Sequence, residues 1–450
     1  MYSDFRSLEA ISALVNIILG TITLILASRT KTNAWNELFA AKLLGWYFIF
    51  LGISSMSTYL QGYELWIGPA TYQTAVIPDD TNWLRFNEMA QSVSSSAAIA
   101  IMVSIPFFFP YPFLQSDNGQ RFAALFILLF TIALSGLSIF FPYEANMVRS
   151  GIRVVPIALW GLVYVRFSIK EQKHDSEGAR SISSASALLI LAMIGYWLTD
   201  WLYWLTSVNT WATSVWVNRI GPDESLTLFF TSLSIVIGVA TTCLLTMFAF
   251  EGFRTRKKGN SVLASLCFGF FIVGIISWIA DVSVHDTLKE CMYGICDGLP
   301  EEWLIYNTFT NNLAEYLVQP IVIMYVLLNY NLVDTQSDEN GSFARAMVIV
   351  LVVIASSTVI EMIQSIIPIG EIITSAVLAI GIAAAIGWEK AIMEKFLLKM
   401  NSTTAYLDGI GELHDIEFDQ SSQRAFMTSI ITIFVFGFLL SVLNAALRLG

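Results

Sequence analysis

Long apolar stretches separated by short polar ones set the pattern of this chain. Hydrophobic runs of about twenty residues recur from end to end, centred near residues 18, 50, 103, 131, 158, 195, 238, 272, 319, 356, 380 and 436. A helix rises ~1.5 Å per residue, so each run is long enough to cross a hydrocarbon layer of roughly 30 Å. Strands of a membrane barrel would alternate apolar and polar positions, and these runs do not. The pattern predicts an all-α, polytopic integral membrane protein with about 12 transmembrane helices. Two finer features modify it. Pro106, Pro110 and Pro112 in IPFFFPYPF are expected to break the third helix at its end, and Pro320 to kink the ninth.

Composition agrees with that class. Of 450 residues, 56% are hydrophobic and 13% charged, and the mean hydropathy is +0.65. Soluble domains carry roughly twice that share of charge. Charge also orients the chain. With the N-terminus outside, the inner segments 28–42, 110–121, 166–180, 252–260, 331–345 and 388–424 hold 17 of the 24 Lys and Arg residues. Basic residues are retained on the cytoplasmic side, so both termini are expected outside. FRTRKKGN, with Arg254, Arg256, Lys257 and Lys258, is the strongest single stop. MYSDFRSLEA lacks the basic start of a secretory leader, so the first helix is expected to be retained.

The acidic residues fall on the other face. The outer side has 19 Asp and Glu against 7 Lys and Arg, the inner side 16 against 17, which together give the net charge of −11. A negative outer face draws cations and keeps the surface solvated, and adaptation to a salty medium is the plainer of those two readings. With no outer basic patch and only short inner clusters, no nucleic-acid partner is expected. Cys243 and Cys267 fall inside apolar runs and read as packing residues. Cys291 and Cys296 share the predicted outer loop KECMYGICDG, where a disulfide is favoured over a metal site.

The chain reads as duplicated. FLQSDNGQRFA (113–123) resembles LVDTQSDENGSFA (332–344), FLGISSMS (50–57) resembles IVGIISWI (272–279), and NWLRFNEMA (82–90) resembles EWLIYNTFT (302–310). The offsets are 222 for Gly52 to Gly274 and 220 for Trp83 to Trp303. Six helices lie between copies, so the halves 1–222 and 223–450 share an orientation and form a parallel 6+6 repeat, one way of building transporters. The second half includes an inner amphipathic segment, 388–424, containing EKAIMEKFLLK.

Chemistry is sought among ionisable groups inside the membrane, which cost several kcal/mol and rarely persist without a partner or a task. The candidates are Arg153 (with Arg149 one turn earlier), Asp200 in WLTDWLYW, Asp281 in SWIAD, Glu315 with Gln319, and Glu361 with Gln364. The last two pairs are spaced i, i+4 and i, i+3, so each shares one helix face. All lie in the outer halves of their helices, and the inner halves are expected to carry almost nothing ionisable. Either these groups line an outward-facing cavity that binds a cation or proton, or they ring the surface among Trp197, Trp201, Trp204 and Trp211.

Several chemistries drop out. His174, His285 and His414 lie in predicted loops and cannot ligate a haem between helices. There is no His pair at zinc spacing, no Walker A string, no Gly-x-Ser-x-Gly elbow and no mid-helix Lys for a Schiff base. No cofactor or metal is expected, and an enzyme is the weaker expectation.

YVLLNYNLVDTQSDENGSFARAMVIV (325–350), two further helices and EKAIMEKFLLK resemble the seven-transmembrane sensor regions of histidine kinases over about residues 310–400. The shared string is Tyr-x-Leu-x-Asp, here Tyr330, Leu332 and Asp334. The chain contains no phosphoacceptor His motif and no ATP-binding Gly string. The resemblance implies a sensor without its own catalytic output. The sequence therefore predicts a secondary transporter for a small solute or cation, the alternative being a non-catalytic sensor or scaffold signalling through a cytoplasmic protein at 388–424. In either case its setting is the lipid bilayer of the cell membrane.

Overall fold

The structure is a computed structural model, and it describes residues 6–30, 35–66, 82–113, 117–141, 154–174, 177–195, 244–257, 261–283, 318–330, 346–350 and 423–432, with a few single residues between them. The described residues are almost wholly helical and include no strand. By contacts the chain forms two compact units, Met1–Trp160 with Pro320–Asp415, and Gly161–Gln319 with Ile416–Gly450.

The first unit is built on consecutive long helices. They are α1 (Arg6–Arg29), α2 (Trp35–Trp66), α3 (Asn82–Ser104) and α4 (Asp117–Phe140), each packed on the next. Four stretches in them are long and apolar enough to cross a membrane: Ala10–Arg29, Trp35–Leu60, Arg85–Phe107 and Arg121–Phe140. Small residues let α1 and α2 approach closely. A Cβ on Gly20 would stand 2.6 Å from the Gly45 carbonyl oxygen, and one on Gly52 2.7 Å from that of Ala13. Without a strong hydrophobic drive between helices in lipid, such close backbone contact is a main source of association. By contrast, α4 turns Phe122, Phe126, Leu129, Ile132 and Phe140 outward while burying Ile127 and Leu134. Apolar side chains on one exposed helix face suit contact with lipid tails.

The third apolar run is centred near residue 103, yet α3 stops at Ser104. Pro106 ends it through a 3-10 turn, Ile105–Phe107, and the helix instead extends backward through the polar NEMAQSVSSS. Pro110 follows in a cis peptide with Phe109. The carbonyls released by the broken helix are taken up by side chains. Asn36 Nδ2 donates to the Phe108 oxygen at 3.4 Å and Trp160 Nε1 to the Phe109 oxygen at 3.0 Å. Around them Phe108 packs edge-on to Phe39 and Trp35, and Phe109 packs edge-on to Tyr330.

The second unit holds α5 (Val154–His174) from Gly161 onward, α6 (Glu177–Gly195), α7 (residues 244–257) and α8 (Ser261–Ser283). Helix α9 (Gln319–Asn329) follows in sequence, with π-helical geometry at Val318 and Pro320 in its second position. A π turn beside a proline is a recognised source of a helix bend.

Candidate functional site

Helix α5 is apolar as far as Val165 and then turns charged, with Arg166, Lys170, Glu171 and Lys173. Helix α7 does the same, ending in AFEGFRTRK. Between them α6 opens with GARSISSAS, four serines in six residues ahead of a purely apolar run. These three charged or hydroxylated ends meet in the second unit.

Arg254 is the centre. Its Nε and Nη2 donate to Glu251 Oε2 and Oε1, both at 2.7 Å, a two-pronged contact made possible by i, i+3 spacing on one face of α7. Its Nη1 meets Glu171 Oε2 of α5. Nη2 also reaches the hydroxyl oxygens of Ser183 at 3.0 Å and Ser184 at 3.4 Å on α6. Tyr164 of α5 donates its hydroxyl to Glu251 Oε2 at 2.7 Å, and Arg180 Nε donates to Glu171 Oε1 at 2.9 Å. Glu171 is 2% exposed, Glu251 0% and Arg254 8%. Two carboxylates and two guanidiniums thus share one largely water-excluded place. Desolvating such groups is costly, and the arrangement persists because each charge is matched and hydrogen-bonded. Arginine suits the centre because its planar fork serves both acids at once, which an ammonium cannot.

The network lies where the apolar runs of α5 and α7 end, with Glu171 and Arg180 in the expected inner segment 166–180 and Arg254 in 252–260. Within the basic stop FRTRKKGN, Arg254 is buried. It turns inward, while Arg256 and Lys257 are exposed. The signal was present in the sequence. Glu251 and Arg254 fall at helical spacing where an apolar run ends, and the serine-rich start of α6 is unusual beside such a run.

Of the residues singled out earlier, Gln319 is buried at the start of α9, and Asp281 lies near the end of α8. Arg153, Asp200, Glu315, Glu361, Gln364, Cys291 and Cys296 lie outside the described residues, as does nearly all of 388–424. Arg149 donates from Nη1 to the Ser92 carbonyl at 3.2 Å, within the first unit. Cys267 is a buried free thiol on α8, as a packing residue would be.

The first unit has its own polar seam, built from hydroxyls and a side-chain amide. Gln91 of α3 donates to Thr58 of α2 at 2.9 Å, and the hydroxyls of Ser96 on α3 and Ser138 on α4 hydrogen-bond to each other. Ser94 and Ser138 return hydrogen bonds to carbonyls on their own helices, so these groups are satisfied locally. The Gln91–Thr58 and Ser96–Ser138 hydrogen bonds tie α2, α3 and α4 together.

Compared with protein-family models, with curated proteins and with solved structures, the chain matches none of them.

Proposed function

We propose that this protein is a multi-pass membrane transporter for a small solute or ion, with the buried network of Tyr164, Glu171, Arg180, Glu251 and Arg254 part of its coupling machinery. The observation that carries the reading is Arg254 held, buried, between two buried carboxylates where the apolar runs of α5 and α7 end. Ionisable groups in such surroundings mark ion and proton pathways more often than they serve packing alone. A proton or cation arriving at Glu251 competes with Arg254 for the same oxygens, so occupancy and helix contact become linked there. The predicted parallel 6+6 repeat (halves 1–222 and 223–450), about twelve spans and outward termini belong to the same reading, since repeats of this kind recur in transporters. The outer-half candidates Asp200, Glu315 and Glu361 would supply the opposite face with its own charged groups.

The alternative is a sensor or scaffold without catalytic output, acting through a partner at 388–424. It draws support from Tyr330 and Leu332 of the sensor-like string, both buried, with Tyr330 against Phe109.

Flux measurement separates the two. The purified protein in liposomes is followed for proton and sodium movement down an imposed gradient, alongside Glu251→Gln and Asp200→Asn. Transport predicts flux in the wild type and at least a tenfold loss in Glu251→Gln, roughly the effect of 1.4 kcal/mol. Absence of flux under every gradient, with folding intact, would move the assignment to the sensor.

A further inference from the structure

We propose that the ion taken up by the buried network is the proton, and that metal cations, sodium included, are kept out of it. The inference rests on the transport reading and deepens it by naming the coupling ion. It starts from how the oxygens of the network are used. Glu171, Glu251, Ser183 and Ser184 offer six side-chain oxygens, and five of them face Arg254: both of Glu251, Oε2 of Glu171 and the two hydroxyls. The sixth, Glu171 Oε1, accepts from Arg180 Nε at 2.9 Å. Tyr164 adds a further donor on Glu251 Oε2.

A metal ion and a proton make different demands on such a place. A hard cation is held by a shell of several oxygens whose lone pairs converge on one point. Here the oxygens converge on a guanidinium, which already carries positive charge. Arg254 is held from α5 and α6 as well as from its own helix, so neutralising Glu251 leaves it bonded to Glu171 and Ser183. It would still stand where a metal ion must sit. A proton needs one lone pair on one carboxylate oxygen and no shell. It forms an O–H bond on Glu251 and loosens only the fork between two residues of α7.

Burial sharpens the difference. Glu171 and Glu251 are shut off from water. A sodium ion would have to shed its hydration to reach them, at a high cost, whereas a proton passes along hydrogen bonds. Around Glu251 the described helices place Tyr164 and Glu171 from α5, Arg180 from α6, Arg254 from α7 and the thiol of Cys267 from α8. Two carboxylates against two guanidiniums carry no net charge, so one proton leaves the network positive and opposed to any further cation.

Two measurements test this on the full-length protein. In liposomes, wild-type proton flux should persist when sodium is replaced by a bulky organic cation, and should fall roughly tenfold or more in Glu251→Gln. Sodium flux should not exceed that of empty liposomes. Sodium flux that Glu251→Gln abolishes would overturn the proposal and leave transport standing. Absence of any flux would remove the transport reading, and the second measurement then decides the site by itself. Infrared spectra of the purified protein should show a protonated carboxyl band growing on acidification, missing in Glu251→Gln and unmoved by added sodium at constant ionic strength. A band that sodium suppresses overturns the proposal, and the sodium comparison needs only the wild type if the variant does not fold.

Discussion

Arg254 shows how one side chain can hold a region together. Arg254→Ala leaves Glu171 and Glu251 buried without the guanidinium that both face, and removing one member of a buried ion set costs about 3–5 kcal/mol. Thermal unfolding in detergent should show a clear fall in Tm for this variant. Arg254→Lys should recover only part of it, because an ammonium cannot fork across Glu251 and still reach Glu171. Full recovery by lysine would mean that charge alone matters. Tyr164→Phe tests a lesser contact. It removes one hydrogen bond to a charged acceptor, about 1.5–3 kcal/mol, and leaves Arg254 in place. These residues were half legible in the sequence. Their identity and the i, i+3 spacing of Glu251 and Arg254 could be read from it, but the link to Glu171, 83 positions away from Arg254, is a tertiary fact.

At the scale of elements, helix spans were readable and helix ends less so. Apolar runs predicted α1, α2 and α4 well, because length and hydrophobicity decide whether a segment can cross a bilayer. They placed the centre of α3 near residue 103, at what is the end of the helix, because its first half is the polar stretch NEMAQSVSSS; Pro106 stops it as expected. The close approach of α1 and α2 was not legible, since a glycine in a sequence does not announce what faces it. Gly20→Leu and Gly52→Leu should each destabilise the first unit by at least 1–3 kcal/mol, the usual cost of overpacking, because backbone carbonyls stand where the new side chain would begin. Gly136→Ala and Gly161→Ala meet nothing within 4 Å and should be neutral or stabilise by about 0.5–1 kcal/mol. Comparing Tm values across the four variants checks both halves of that statement. A double-mutant cycle on Ser96→Ala and Ser138→Ala should give a coupling of about 0.6 kcal/mol, typical of hydrogen bonds between membrane helices.

For the whole molecule, the outward apolar face of α4 carries the membrane assignment further than composition does. Leu129→Lys places a charge on that face near the middle of the span Arg121–Phe140 and should cost about 2.5–3.5 kcal/mol of insertion free energy. Leu134→Ala, on the buried face of the same helix, should insert normally and instead lower thermal stability by about 2–5 kcal/mol. A glycosylation-based insertion assay and a melting curve report the two effects separately. Equal insertion of Leu129→Lys and wild type would mean that this face contacts protein or water.

The sequence by itself determined that the chain is helical and apolar enough to cross a membrane, because backbone groups in lipid must be satisfied within each helix and hydrophobic length sets the span. Its charge asymmetry supplied an expected orientation, and Pro106 supplied the stop of α3. The tertiary structure alone decided which charges are solvated and which are buried. Arg254, Arg256 and Lys257 are near neighbours on one helix, and only packing against α5 and α6 turns the first inward to its acids and leaves the others exposed. Burial depends on what lies opposite a helix face, and a linear string of residues does not contain that information.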